Sequence, residues 1–164
     1  MRKTILFLTL VIAASAIQAQ PKRRLQFTID GTAHDTIYLA SYYGNKLYYA
    51  DTAVANAKGV TTFNRPKGYA TGVYAVVVPG PKYFEFLVNE PVVEMATDTA
   101  ALNDHIVVKK SEENQLFQAY VHFLNDKKKE ADKTTALLDS TADPIAKGNY
   151  RKHLSELEKD IKNY

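Results

Sequence analysis

Between residues 24 and 109 turn residues cut the chain into short runs, and this punctuation restricts it to a β architecture. Leu25-Gln26-Phe27-Thr28-Ile29 alternates apolar and polar side chains, the period of a half-buried strand, and Asp30-Gly31 closes it. Thr36 to Ala40 is a second run, and Gly44-Asn45 turns the chain before Lys46 to Tyr49. Asp51 to Ala55 and Val60 to Phe63 flank Lys58-Gly59, which reads as a hairpin turn. Gly72 to Val78 stops at Pro79-Gly80-Pro81. Tyr83 to Val88 and Val92 to Ala96 are parted by Asn89-Glu90-Pro91, and Ile106 to Val108 is a last short strand. Eight or nine short strands at this spacing predict an antiparallel β-sandwich or barrel rather than a parallel sheet.

After residue 110 the pattern changes to helix. Ser111 is placed as an N-cap, with Glu112 and Glu113 in the first turn, where acidic side chains favour the helix dipole. Leu116, Phe117, Tyr120, Val121 and Leu124 form an apolar stripe at three- and four-residue spacing, and the helix is expected to run to about residue 139. Asp143 and Pro144 open a second helix. Along it Tyr150, Leu154, Leu157, Ile161 and Tyr164 make a narrow seam suited to one partner helix. The expectation is a β domain over 24–109 and an antiparallel helical hairpin over 111–164. The seam is still running at Tyr164, so the hairpin is expected to be truncated there.

Residues 1–19 read as a cleaved export signal. Arg2 and Lys3 form a basic start, and Ile5 to Ala14 form an apolar run. Small residues then allow cleavage after Ala16 or after Ala19. The apolar run is shorter than the roughly 20 residues of a membrane span. The chain contains no cysteine, so a lipid anchor on cysteine, disulfides and thiol catalysis are all excluded. A soluble protein of the periplasm, the cell envelope or the exterior is expected. The formal charge is +3, but without Arg2 and Lys3 the 21 basic residues fall to 19 against 18 acidic ones. A net charge near +1 gives no phosphate-neutralising face, and Lys127-Lys128-Lys129 is flanked by Asp126, Glu130 and Asp132. Nucleic acid is not an expected partner.

Little in the chain resembles catalytic machinery. His34, His105, His122 and His153 show no paired metal-ligand spacing. There is no Gly-x-Ser-x-Gly elbow and no phosphate-binding glycine loop, so no catalytic residue, metal or cofactor is assigned. Glu85, Glu90 and Glu94 are candidates for paired carboxylates, but Glu85 alternates with Phe84 and Phe86 as an outward strand residue would. The tyrosines are the unusual feature: eight of eleven lie between Tyr38 and Tyr83. In the pairs Tyr42-Tyr43 and Tyr48-Tyr49 neighbours face opposite ways, so one of each is expected to be buried and one exposed. These four are the candidate surface for a peptide, protein or glycan.

Several runs also carry a family resemblance. Thr36 to Gly44, then Tyr49-Ala50-Asp51-Thr52-Ala53, Lys58-Gly59 with Phe63, and Gly72-Val73-Tyr74 resemble the domain of unknown function that precedes a thioredoxin-like domain in exported bacterial thiol–disulfide oxidoreductases. Ser111-Glu112-Glu113-Asn114 with Phe117 and Tyr120 is similar to the helical linker after that domain. The resemblance implies a non-catalytic accessory module for recognition or dimerisation, with the redox cysteines in another domain. Its implied partners are a thioredoxin-like domain, or a second copy through the helical seam of Tyr150, Leu154, Leu157 and Ile161.

Overall fold

The computed structural model describes residues 22–164, and the export signal expected over 1–19 lies outside the described residues. Eight strands precede two helices: β1 (Arg24–Asp30), β2 (Thr36–Tyr43), β3 (Lys46–Val54), β4 (Val60–Phe63), β5 (Gly72–Val78), β6 (Lys82–Val88), β7 (Val92–Asp98), β8 (Val107–Lys110), α1 (Glu112–Ser140) and α2 (Pro144–Asn163). The strands form two four-stranded sheets, ordered β4-β1-β7-β8 and β3-β2-β5-β6. The protein is mainly β, a sandwich followed by a helical hairpin.

Strict alternation decides what fills the sandwich. Leu25, Phe27 and Ile29 of β1, Phe84, Phe86 and Val88 of β6, and Val93 and Met95 of β7 are all buried in one cluster. Phe27 is its hub and meets Phe63, Phe84 and Phe86 edge-on, with ring centroids 6.1, 5.8 and 4.9 Å away. Burying a side chain of this kind contributes about 1.5–3 kcal/mol. Neighbouring strands are antiparallel with one exception: β1 runs parallel to β7, from Arg24 opposite Val92 to Asp30 opposite Asp98.

Two local expectations change. The runs 46–49 and 51–55 are one strand, because Ala50 is an extra residue: Leu39 pairs with Asp51 but Ala40 pairs with Tyr49. Lys58-Gly59 does turn the chain, but β3 and β4 lie in different sheets, so it makes a corner between sheets rather than a hairpin. Gly59 has φ 69°, and a Cβ there would lie 2.3 Å from the Ile29 carbonyl oxygen. Its own carbonyl accepts from Ile29 N at 2.9 Å, an approach that only glycine permits.

The docking of α1 is also different from the expectation. Of its apolar stripe, Leu116 is 74% exposed, whereas the polar Asn114 and Gln118 are buried. The Asn114 amide accepts from Leu87 N at 2.7 Å and donates to Leu87 O at 2.8 Å, while Gln118 donates to Glu85 O at 2.8 Å. β6 is the last strand of its sheet, so these side chains complete the open edge as a further strand would. Glu90 adds the start of the helix, accepting from Glu112 N at 3.1 Å and Glu113 N at 3.3 Å. The Ser111 hydroxyl accepts from Asn114 N at 3.1 Å, as the N-cap reading requires.

α2 begins at the Asp143 cap and folds back along α1. Leu157 is buried at the contact, with Tyr150 and Leu154 half-buried and Ile161 at the exposed margin. Tyr164 stacks on Phe123 with centroids 4.3 Å apart, and Lys127 pairs with Asp160 at 2.6 Å. Among the described residues no helix is long and apolar enough to cross a membrane.

Candidate functional site

The four tyrosines sit on the β2–β3 hairpin, whose turn uses Gly44 at φ 62°. Alternation sends Tyr42 to the outer face of its sheet and Tyr43 to the inner phase. The Ala50 bulge resets β3 so that Tyr49 lies opposite Ala40 and Tyr48 opposite Ser41. Tyr49 therefore joins the outer face, 5.0 Å from Tyr38 between centroids, and Tyr48 meets Tyr43 edge-on at 6.4 Å on the other face. The expectation of one buried residue per pair does not hold. Tyr42, Tyr43, Tyr48 and Tyr49 are 38%, 82%, 51% and 68% exposed, so the hairpin extends past the cover of the facing sheet.

Beneath the outer tyrosines the sheet is floored by small residues. Ala40, Ala75 and Val77 are buried there, with Tyr38 and Leu47 packed against them. Tyr42 crosses this floor and its hydroxyl donates to the Glu85 carboxylate. That bond, then burial and the neighbouring charge of Glu85, push the Tyr42 hydroxyl up to about 12. A groove of about 460 Å³ opens beside the pair, between Ser41, Tyr42, the 70–74 segment and Glu85. A second, of about 590 Å³, runs from Tyr83 and Glu85 past the 99–104 loop to Gln118 and Val121 of α1.

The three candidate carboxylates do not converge. Glu85 receives Tyr42 on β6, Glu94 pairs with Arg24 in the other sheet, and Glu90 caps α1. Two histidines are engaged with acids: His105 Nδ1 lies 2.6 Å from Asp98 Oδ2, and His153 Nε2 lies 2.9 Å from Glu130 Oε1. The hydrogen bond from His105 holds the Asp98 carboxyl below the usual carboxylate range. Among the described residues no group of three or more histidines and acids is placed to hold a metal ion.

Sequence reasoning missed a buried polar cluster around Tyr69. Its ring is fully buried and its hydroxyl donates to Asp51 Oδ2 while accepting from Arg65 N at 3.2 Å. Arg65 covers the ring, its Cζ 5.0 Å from the centroid. Burial, then the Asp51 bond, push the Tyr69 hydroxyl up to about 12. Arg23 donates to the carbonyls of Tyr69 and Asn89 and to the Thr71 hydroxyl, tying the first described residues to the 69–71 segment. A lone tyrosine in a stretch without periodicity gives no signal for such burial.

No family model matches the chain, and no curated protein matches it. Solved structures do. A crystal structure of (S)-allantoin synthase is similar at 12% identity and TM-score 0.36, over 49% of this chain and 42% of that one. The 5-hydroxyisourate hydrolase of Klebsiella pneumoniae is similar at 12% identity and TM-score 0.34, over 55% of this chain and 94% of that one. The chain thus spans less than half the length of the first. Both overlaps are partial and low in identity.

Proposed function

We propose that this chain is an exported, non-catalytic recognition module, the accessory part of a thioredoxin-like thiol–disulfide system that holds a partner for redox cysteines located elsewhere. The observation that carries the reading is the β2–β3 hairpin, which presents Tyr42, Tyr43, Tyr48 and Tyr49 to solvent on both faces. A tyrosine offers a large apolar ring and a hydrogen-bonding tip for the loss of few rotatable bonds, which suits it to contact surfaces. Without cysteine the chain itself supplies no thiol. The association with a thioredoxin-like lineage rests on the sequence resemblance. A second reading, a free-standing module for a peptide or glycan, is favoured by the groove beside Tyr42.

A photo-crosslinking amino acid placed at Tyr43 or Tyr48 in the exporting cell tests both. The proposal expects a covalent adduct with a protein carrying a Cys-x-x-Cys pair, absent when the crosslinker is at Lys152, an exposed site on α2. An adduct with an unrelated protein or a glycan selects the second reading. Labelling no stronger than at Lys152 removes the recognition role from the hairpin.

A further inference from the structure

Resting on the recognition reading, we propose that the free edge of β3, from Lys46 to Ala50, takes an extended segment of a partner polypeptide as an added strand, with acidic side chains of that segment beside Lys46 and Arg65. The two sheets have four outer strands, β4, β8, β3 and β6. β6 is closed by Asn114 and Gln118, which take its main-chain groups at Leu87 and Glu85. β4 and β8 are four residues each, and β8 ends in Lys109 and Lys110. Short and charged edges of this kind discourage further pairing. β3 has nine residues, and from Leu47 to Ala50 it carries no charge.

The hairpin fixes which groups of β3 are free. Gly44 at φ 62° and Asn45 make a two-residue turn, so Tyr43 and Lys46 pair through main-chain bonds. Alternation then aims the N–H and C=O of Tyr48 at β2, and those of Leu47 and Tyr49 away from it. Among the described residues no side chain or loop takes these four outward groups. Further along, Arg65 takes the Ala50 carbonyl and the Asp51 carboxylate takes Thr52 N. A free row of donors and acceptors at strand spacing is complemented by another main chain in extended form. Its side chains would meet tyrosine on either face, Tyr49 on the outer one and Tyr43 with Tyr48 on the other.

Charge selects a partner over a second copy. Lys46 is exposed, and Arg65 is brought to the edge by its bond to the Ala50 carbonyl, so a cation stands at each end of the uncharged stretch. Among the described residues neither is in a salt bridge. Two-fold symmetry would pair two copies of β3 antiparallel, and the register that uses all four outward groups sets Leu47 against Tyr49. Lys46 then falls beside Ala50 and Arg65 of the second copy, and like charges brought together across a strand pair are destabilising. An extended segment with a carboxylate at each end meets both cations instead.

The test titrates the mature chain with a blocked peptide, acetyl-Glu-Thr-Val-Thr-Val-Thr-Glu-amide, followed by amide NMR. Saturable shifts are expected along Leu47, Tyr48 and Tyr49, with slower hydrogen exchange at the Leu47 and Tyr49 amides. Two N-methylated forms of the peptide, one methylated at its three threonines and the other at its two valines, separate main-chain pairing from side-chain contact. Only one alternate set of donors faces β3, so one form should lose affinity about tenfold or more and the other keep it. Lysine in place of both glutamates, or Lys46→Gln in the protein, should each weaken binding about threefold. Absence of binding at β3, or an equal effect of the two methylated forms, overturns the inference. So does a chain that sediments as a dimer and becomes a monomer with Tyr49→Lys, since a second copy then holds the edge. Unchanged affinity for the lysine-ended peptide overturns the acidic character of the partner. If crosslinking through Tyr43 and Tyr48 persists while the peptide does not bind, the recognition role stands and strand addition falls. If the peptide binds at β3 while crosslinking is no stronger than at Lys152, the edge stands as a peptide site and the recognition reading falls.

Discussion

Replacing Asn114 with alanine removes three hydrogen bonds made by one buried amide. It accepts from Leu87 N at 2.7 Å and donates to Leu87 O and to the Ser111 hydroxyl, both at 2.8 Å. Each such bond is worth about 0.5–1.5 kcal/mol net, so the loss sums to about 1.5–4.5 kcal/mol. For a chain of this size that corresponds to a fall in melting temperature of about 3–18 °C. Leu116→Ala is the control. Leu116 belongs to the apolar stripe but is 74% exposed, so its truncation should cost less than about 0.5 kcal/mol. The assay is urea unfolding of both variants, with hydrogen exchange of the Leu87 amide as the local readout. Asn114→Ala should speed exchange at Leu87, and Leu116→Ala should leave it unchanged. If Leu116→Ala is the more damaging of the two, or Leu87 stays protected without Asn114, the helix docks by its apolar stripe and the edge-closing account is wrong.

Leu157→Asp places a charge where Leu157 is buried between the helices, and should cost about 2–5 kcal/mol, seen as lost helical circular dichroism. Glu90→Ala removes the carboxylate that receives Glu112 N and Glu113 N, and should lower stability by about 1 kcal/mol, less at high salt. Tyr69 and Tyr42 are both raised from 10.0 to about 12 in the fold. Between those values the unfolded chain has released protons that the folded one keeps, so stability should fall as pH rises from about 10 to 12. Tyr69→Phe should remove most of that slope, and Tyr42→Phe less, because solvent screens the exposed Tyr42–Glu85 contact. A slope unchanged in Tyr69→Phe would mean that its hydroxyl is not held as described.

The strands were legible where one face is buried and the period is clean, as in Leu25, Phe27 and Ile29, whose alternation states their burial directly. Partner choice was not. Lys58-Gly59 announces a reversal, yet turn residues do not say which strand the next segment joins, and β4 pairs with β1 instead of β3. The tyrosine pairs defeated the alternation rule because that rule presumes a covered face, and the hairpin has none. Asn114 and Gln118 were invisible for another reason: helical periodicity counts apolar residues, and this helix meets a strand edge that demands hydrogen bonds. Of the candidate surface, residue identity was readable but the Tyr42–Glu85 contact was not, since it joins positions 43 residues apart.

The parallel pairing of β1 with β7 governs the order in which this chain can mature. β1 is central in its sheet, between β4 and β7, yet its residues are matched with ones 68 positions later, Arg24 with Val92. A chain delivered amino end first presents β1 before anything exists for it to join on that side. The β4-β1-β7-β8 sheet cannot close until residue 98 has been delivered, so until then β1 has only β4 beside it. Truncation series tethered at successive lengths should therefore show protease resistance arising in one step, once β7 is free to pair, with no earlier plateau.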